Sequence, residues 1–284
     1  MKKYILLTFD LEEFVRPIEL SMDCRKSQLM EVSRAGLNKI ISILKANSIH
    51  ATFFTTYEFA KKCKRELKLL TKMGCEISLH AYSHKDDYRK ISSDETFKRL
   101  REAKVGIEKI AGAKILGFRS PQMIKINRNI LKKLNIKYDS SSHPTIAFDP
   151  TLILSHYSNI FGKRDIHNDN GITVIPVSVT PILRFPFSWI WFRNLGLSYT
   201  KACTKACLTD QHFINIYFHP WDFVNLRNTD YGKTIRPYKI ERLYSRNSGE
   251  WMVQSLNSYI KWCKKSGLIF KTIKEYLHES RGLF

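Results

Sequence analysis

The chain has 284 residues, 43% hydrophobic and 26% charged, which excludes a disordered tract and a polytopic membrane protein and suits one α/β domain with a single large core. Its net charge of +21 asks for an acidic partner such as nucleic acid, anionic lipid or a phosphorylated substrate, although the basic residues are dispersed rather than blocked. Six cysteines, at 24, 63, 75, 203, 207 and 263, match neither zinc-finger spacing nor a disulfide scaffold and read as reduced thiols.

Lys2 and Lys3 precede an apolar run that meets Asp10 too soon for a secretory segment, and no later stretch has the length of a spanning helix. The expectation is a cytoplasmic protein, or one peripheral at the inner face of the membrane. Tyr4 to Phe9 reads as a first strand, and residues 30–47 as a helix with Leu37, Ile40, Ile41 and Leu44 on one face. "HATFFT" at 50–55 is a second strand, Tyr57 to Met73 a second helix ended by Gly74, and "CEISLH" at 75–80 a third strand. Ser92 and Glu95 form a capping box for a helix closed by Gly112.

Runs at 115–118, 137–141, 172–177, 213–218 and 268–272 continue the series of strands. Alternating strand and helix predicts an α/β fold with a parallel sheet, and this many units favour a barrel in one domain, 1–284. Two regions break the rhythm: residues 143–170 are irregular and polar, and residues 224–250 are long, basic and aromatic. Loops of such length usually carry function, so 224–250 is expected on the substrate side.

The polar residues fall where strands end. Asp10 and Glu12 follow the first strand, His80 and His84 the third, Arg119 the run at 115, and His219 the run at 213, while Asp139 lies in the run at 137. In a parallel barrel all strand C-termini share one face, so these residues would converge. His80 and His84, four apart, could share an ion with a carboxylate such as Glu12; two histidines and one carboxylate leave the open position of a catalytic divalent site. A lone HxxxH pair is also explained by surface or core histidines. Asp10 and Glu12, two apart, would share a face, one holding metal and the other taking a proton from water, with Glu13 pointing away as a solvated carboxylate. His219 reads either as a satisfied core histidine or as a general acid held by Asp139, which would raise its pKa. Arg119 could pair with Asp10.

In order, "LTFDLEEF", "ATFFTT", "ISLHAYSHKDD", "GFRSPQ", "YDSS" and "IYFHPWDF" together resemble the polysaccharide deacetylase family, the NodB-homology carbohydrate esterases, over residues 4–223. The resemblance implies a distorted (β/α) barrel, seven-stranded, and metal-dependent removal of N-acyl groups, usually acetyl, from amino sugars. It implies Asp10 as base, Glu12, His80 and His84 as ligands of a divalent metal, zinc foremost, Arg119 as partner of the base, and His219 as acid supported by Asp139. The first motif departs from the adjacent aspartates of many members and resembles an Asp-x-Glu subgroup. Ala81 stands where a hydroxyl commonly braces the second motif.

The expected function is therefore a deacetylase acting on an amino sugar in a polysaccharide or in its nucleotide- or lipid-linked precursor; the alternative is a non-catalytic carbohydrate-binding or assembly protein on the same barrel. The aromatic and basic stretch 184–208, with Arg193, Lys201 and Lys205, reads as a membrane-interface element or as a helix packed on the barrel. Expected partners are an amino-sugar glycan or lipid-linked sugar and an anionic membrane surface, with no nucleic acid.

Overall fold

In the computed structural model, residues 2–22, 25–146, 161–235 and 241–282 are described. The strands are β1 (Tyr4–Leu11), β2 (Thr52–Thr56), β3 (Glu76–Ala81), β4 (Gly117–Phe118), β5 (Tyr138–Asp139), β6 (His167–Asp169), β7 (Ile172–Val174), β8 (Phe213–Phe218) and β9 (Ile269–Phe270). They form one sheet in the order β6-β7-β5-β4-β3-β2-β1-β8, with β9 branching from β1. The path from β7 to β8 is parallel throughout and accounts for the seven strands expected; β6 adds an antiparallel edge.

The sheet curls without closing into a ladder. After β7 the chain crosses to β8, where Ser178 N donates to the Asn215 carbonyl and Asn215 N to Ser178 Oγ, both at 2.9 Å. These two bonds span the gap between β7 and β8 where no strand ladder forms.

β1 is buried along its whole length, as expected of a central parallel strand covered on both faces. Its alternate residues part company. Ile5, Leu7, Phe9 and Leu11 join the large outer core beneath the helices. Tyr4 and Leu6 face inward with Phe54, Tyr138, Ile175 and Phe213, and the same inward row continues through Thr8 to Asp10. The interior is thus apolar at one end and polar where the strands finish.

The helix at 30–47 begins four residues earlier, as Lys26–Asn47. The single helix expected over Tyr57–Met73 is two, Tyr57–Lys62 and Lys64–Lys72, broken at buried Cys63 with φ −115° and ψ 38°. The break lets Phe59 and Leu67 both reach the outer core. Gly74 ends the second at φ 82°. Of the expected capping box, the N-cap half is present, Ser92 Oγ accepting from Glu95 N at 3.2 Å. Of the irregular stretch 143–170, residues 147–160 lie outside the described residues. The segment 224–250, of which 236–240 lie outside them, is largely short helices, Asp230–Thr234 and Glu241–Ser245 among them. Leu226, Tyr231, Ile235 and Tyr244 pack there on Phe14, Leu29 and Trp221.

Among the described residues, Cys63, Cys75, Cys203, Cys207 and Cys263 are buried free thiols. Burial pushes Cys63, Cys207 and Cys263 up to about 12 and Cys75 up to about 11. Thiolate, not thiol, is the reactive form. Labelling of the native protein with an alkylating reagent, followed by peptide mapping, should leave these five unmodified until denaturant is added.

Gly36 permits a close helix contact. A Cβ there would lie 1.8 Å from the carbonyl oxygen of Pro220, so the helix Lys26–Asn47 rests directly on the turn that follows β8. Gly36→Ala must push backbone against backbone, an overpacking that costs about 1–3 kcal/mol. A thermal melt should show a midpoint lowered by several degrees.

Candidate active site

Arg119 lies fully buried inside the curled sheet. Its Nη1 donates to Asp10 Oδ1 at 2.8 Å and to Thr8 Oγ1 at 3.0 Å. Its Nε and Nη2 donate to the carbonyl and hydroxyl of Ser140, at 3.2 and 2.9 Å. The guanidinium sits 4.2 Å from the centre of the Phe54 ring. A buried ion pair is tolerated only with such complete partnering. The expected pairing of Arg119 with Asp10 is present, and it engages one carboxylate oxygen.

Glu12, His80 and His84 offer ligand atoms that all lie within 4.8 Å of one another. His84 Nδ1 donates to Glu12 Oε2, and His80 Nε2 lies 3.3 Å from the same oxygen. His80 Nδ1 donates to the Arg119 carbonyl at 2.6 Å, which fixes its tautomer and leaves Nε2 as the ligand atom. His84 Nε2 is buried beyond hydrogen-bond reach of any partner and faces Glu19 Oε1 at 3.7 Å. Burial would raise the Glu12 carboxyl, but His84 and His80 outweigh it and hold it well below the usual range. Burial would lower His84, but Glu12, helped by Glu19, lifts it to about 10. Two imidazoles and a carboxylate converging within this distance fit a divalent cation.

One reading of this region is corrected. Glu13 is buried rather than solvated, and one of its carboxylate oxygens has no partner. The chain past β1 runs under Leu29, whose carbonyl accepts from Phe14 N at 3.2 Å, instead of out into water. Burial raises the Glu13 carboxyl. The loop after β3, without a hydroxyl at Ala81, is braced by Asp86. That carboxylate accepts from Ser83 N at 3.4 Å and from Arg99 Nη2 at 2.5 Å.

His219 reaches the same site from β8, its Nε2 lying 4.0 Å from Asp10 Oδ2 and 3.9 Å from Glu12 Oε1. It does not pair with Asp139. Arg128, from the helix Arg128–Lys133, forms an ion pair with Asp139, which also accepts from Ser141; Arg128 bonds Asp169 as well, at 3.0 Å. Asp139 therefore ties a helix to β5. Without that carboxylate, burial prevails and His219 is held below its ordinary pKa, against the rise expected.

The histidine is instead held through its backbone and ring faces. His219 N donates to Asp222 Oδ2 at 2.9 Å, and Asp222 faces fully buried Arg193 at 3.0 Å. Trp221 stacks on the imidazole at 4.3 Å between centres, with Trp189 edge-on at 4.8 Å. Tyr217 stands 5.7 Å away and leads on to His143 at 6.0 Å. His143 Nε2 is buried without a partner, and burial together with Arg119 takes its imidazole down to about 3.

Sequence reasoning missed Thr8, Ser140, Asn215, Arg128, Asp222 and Arg193. Asp222 had a signal, the capping spacing from His219. Thr8 and Ser140 had one too, lying inside "LTFDLEEF" and "YDSS", with Thr8 on the strand face of Asp10, and Asn215 is the polar residue of an apolar run. Arg128 and Arg193 are far in sequence from the carboxylates they serve and gave none. Arg193, read as one charge of a membrane-interface element, donates to the carbonyls of Tyr244 and Arg246 at 2.9 and 2.8 Å. It is a core residue, and its helix, Trp189–Cys207, packs on β8 through Phe192 and Phe218.

The polysaccharide deacetylase family model matches residues 1–138. An uncharacterized 30.6 kDa protein of Geobacillus stearothermophilus is 32% identical over 75 residues, and that match spans 26% of this chain and 28% of the relative's length. Among solved structures, the peptidoglycan deacetylase PdaC of Bacillus subtilis is similar at a TM-score of 0.53 and 16% identity, over 99% of this chain and 94% of that one. A CE4 family pseudoenzyme from Bacillus anthracis gives 0.55 and 15%, over 97% and 66%. The PuuE allantoinase gives 0.64 and 14%, over 99% and 92%. The chain is accordingly a relative of the polysaccharide deacetylase family, matched in sequence over residues 1–138 and carrying the NodB-type fold over nearly its whole length.

Proposed function

We propose that this protein is a metal-dependent deacetylase that removes an N-acyl group, acetyl foremost, from an amino sugar in a polysaccharide or in its nucleotide- or lipid-linked precursor. The observation that carries the reading is the meeting of Asp10, Glu12, His80, His84 and His219 at one end of the sheet. Glu12, His80 and His84 would hold the divalent ion, zinc being the natural occupant of a two-histidine, one-carboxylate set. Such an ion supplies Lewis acidity toward an acyl oxygen and makes water a stronger acid.

The remaining work belongs to side chains. Asp10, with one oxygen held by Arg119, keeps the other free to accept the proton of the attacking water. Water adds to the acyl carbon, the C–N bond breaks, and the departing amine needs a proton. His219 supplies it from across the site, and its buried setting makes the imidazolium a readier donor. Products are a free amino sugar and a carboxylate.

Zinc-loaded protein should release acetate from N-acetylated chitooligosaccharides or peptidoglycan fragments. Asp10→Asn and His219→Ala should each lower turnover by about 10²–10⁴-fold, and His80→Ala should abolish metal retention. Full turnover in Asp10→Asn or His80→Ala would overturn the mechanism. Glycan binding without acetate release, whichever metal is loaded, would favour the carbohydrate-binding alternative.

Metal uptake itself should be pH-dependent. His84 is protonated in the metal-free protein well above pH 7, so an incoming ion must displace that proton, and affinity rises with pH up to about 10. Zinc titrations by calorimetry in buffers of different ionisation enthalpy should show proton release near neutral pH. Buffer-independent heats would contradict the Glu12–His84 pairing.

A further inference from the structure

The stretch before the helix Trp189–Cys207 holds a feature that the site does not use. Pro181 to Phe185 forms a tight tip on an antiparallel bridge between Val179 and Pro186. Thr180 N donates to the Phe185 carbonyl at 3.1 Å, and Leu183 N to that of Pro181 at 2.6 Å. Ile182 and Arg184 stand at φ 57° and 54°. A β-branched residue seldom adopts this conformation, because its side chain crowds the backbone, and such strain persists only where the surroundings enforce it.

Here the surroundings are specific. Ile146 N and Thr145 Oγ1 donate to the Arg184 carbonyl at 3.2 and 3.0 Å, and Arg184 Nη1 donates to the Gly162 carbonyl at 3.1 Å. The tip is therefore fixed, and what it presents is apolar. Ile182 is 91% exposed, Leu183 55% and Phe185 44%, and Phe161, beside Gly162, is 90% exposed. A single exposed apolar side chain needs no explanation, but four gathered on one braced tip mark an interaction surface.

Charge selects the partner. Arg184 belongs to the tip and Lys163 beside it is exposed, Arg164 is paired with Asp210, Asp165 is the other acid nearby, and the whole chain carries +21. Apolar side chains on a strongly basic protein match a bilayer with anionic headgroups, where the former enter the acyl boundary and the latter attract the rest. Among the described residues no helix is long and apolar enough to cross a membrane, so the contact is interfacial.

We propose that Phe161, Ile182, Leu183 and Phe185 form a tip that inserts into the surface of an anionic bilayer and seats the protein there peripherally. Of the stretch 184–208 only Phe185 belongs to this tip, since Phe192 and Arg193 are core residues. The proposal does not depend on deacetylase activity.

The test is flotation of the full chain with vesicles of phosphatidylcholine alone or mixed with phosphatidylglycerol, at moderate salt. Wild-type protein should float with the mixed vesicles and not with the neutral ones. Ile182→Asp with Leu183→Asp should lower the bound fraction by at least about tenfold at an unchanged melting temperature, aspartate being tolerated at the positive φ of position 182 and position 183 being exposed. Phe161→Ser with Phe185→Ser should act alike and serves if the first pair disturbs the fold. Failure of the wild type to float, or flotation of both variants as well as wild type, overturns the proposal. So does a wild-type dimer in light scattering that these substitutions dissociate, which would assign the tip to a second copy of the chain.

Discussion

The burial of one guanidinium organises this molecule. Arg119 has no access to water, so its charge and its hydrogen-bond donors must be met by protein. They are met by Asp10 and Thr8 of β1, by Ser140 beyond β5 and, at the limit of hydrogen-bond reach, by Asn215 of β8 at 3.5 Å. Its own carbonyl accepts from His80 of β3. One side chain and its peptide thus fix the proposed base and a proposed metal ligand relative to each other. A shift in the register of β1 would leave the charge unpaired, since Asp10 is its anionic partner.

The second half of the site comes from a different part of the chain and is held differently. His219 follows β8 into a short turn clamped from below by the helix that carries Gly36 and from the side by Asp222 with Arg193. The two tryptophans restrict the ring's orientation. Asp10 and Glu12 therefore face a histidine whose position depends on packing and on a buried ion pair. The helix at 189–207, read from its composition either as a membrane-interface element or as a helix packed on the barrel, is part of this clamp.

Much of this architecture was legible because strands in a parallel sheet have simple rules. Apolar runs spaced by amphipathic helices predict a parallel sheet, and polar residues at the ends of those runs must meet on one face. That reasoning brought Asp10, Glu12, His80, His84, Arg119 and His219 together without knowledge of any contact. It failed where the partner of a residue was set by tertiary proximity. Asp139 was read as the support of His219 since both lie near strand ends, but Arg128 stands one helix away and takes the carboxylate. Glu13 was read as solvated because alternation points it outward, yet the following chain folds over it. Cys63 interrupts a continuous helical period because the core needs side chains on both sides of the break.

By itself the sequence determined the strand and helix order, the alternation that lines the interior with Tyr4, Leu6, Thr8 and Asp10, and the identity of the chemical groups at the strand ends. Those follow from local periodicity and from side-chain chemistry, which the chain carries wherever it folds. Only the tertiary structure decided which carboxylate meets which cation, that Arg193 is buried while Ile182 is exposed, and that the sheet is held together at β8 by Ser178 and Asn215. These depend on groups distant in sequence competing for the same space, where distance and desolvation, not pattern, choose the partner.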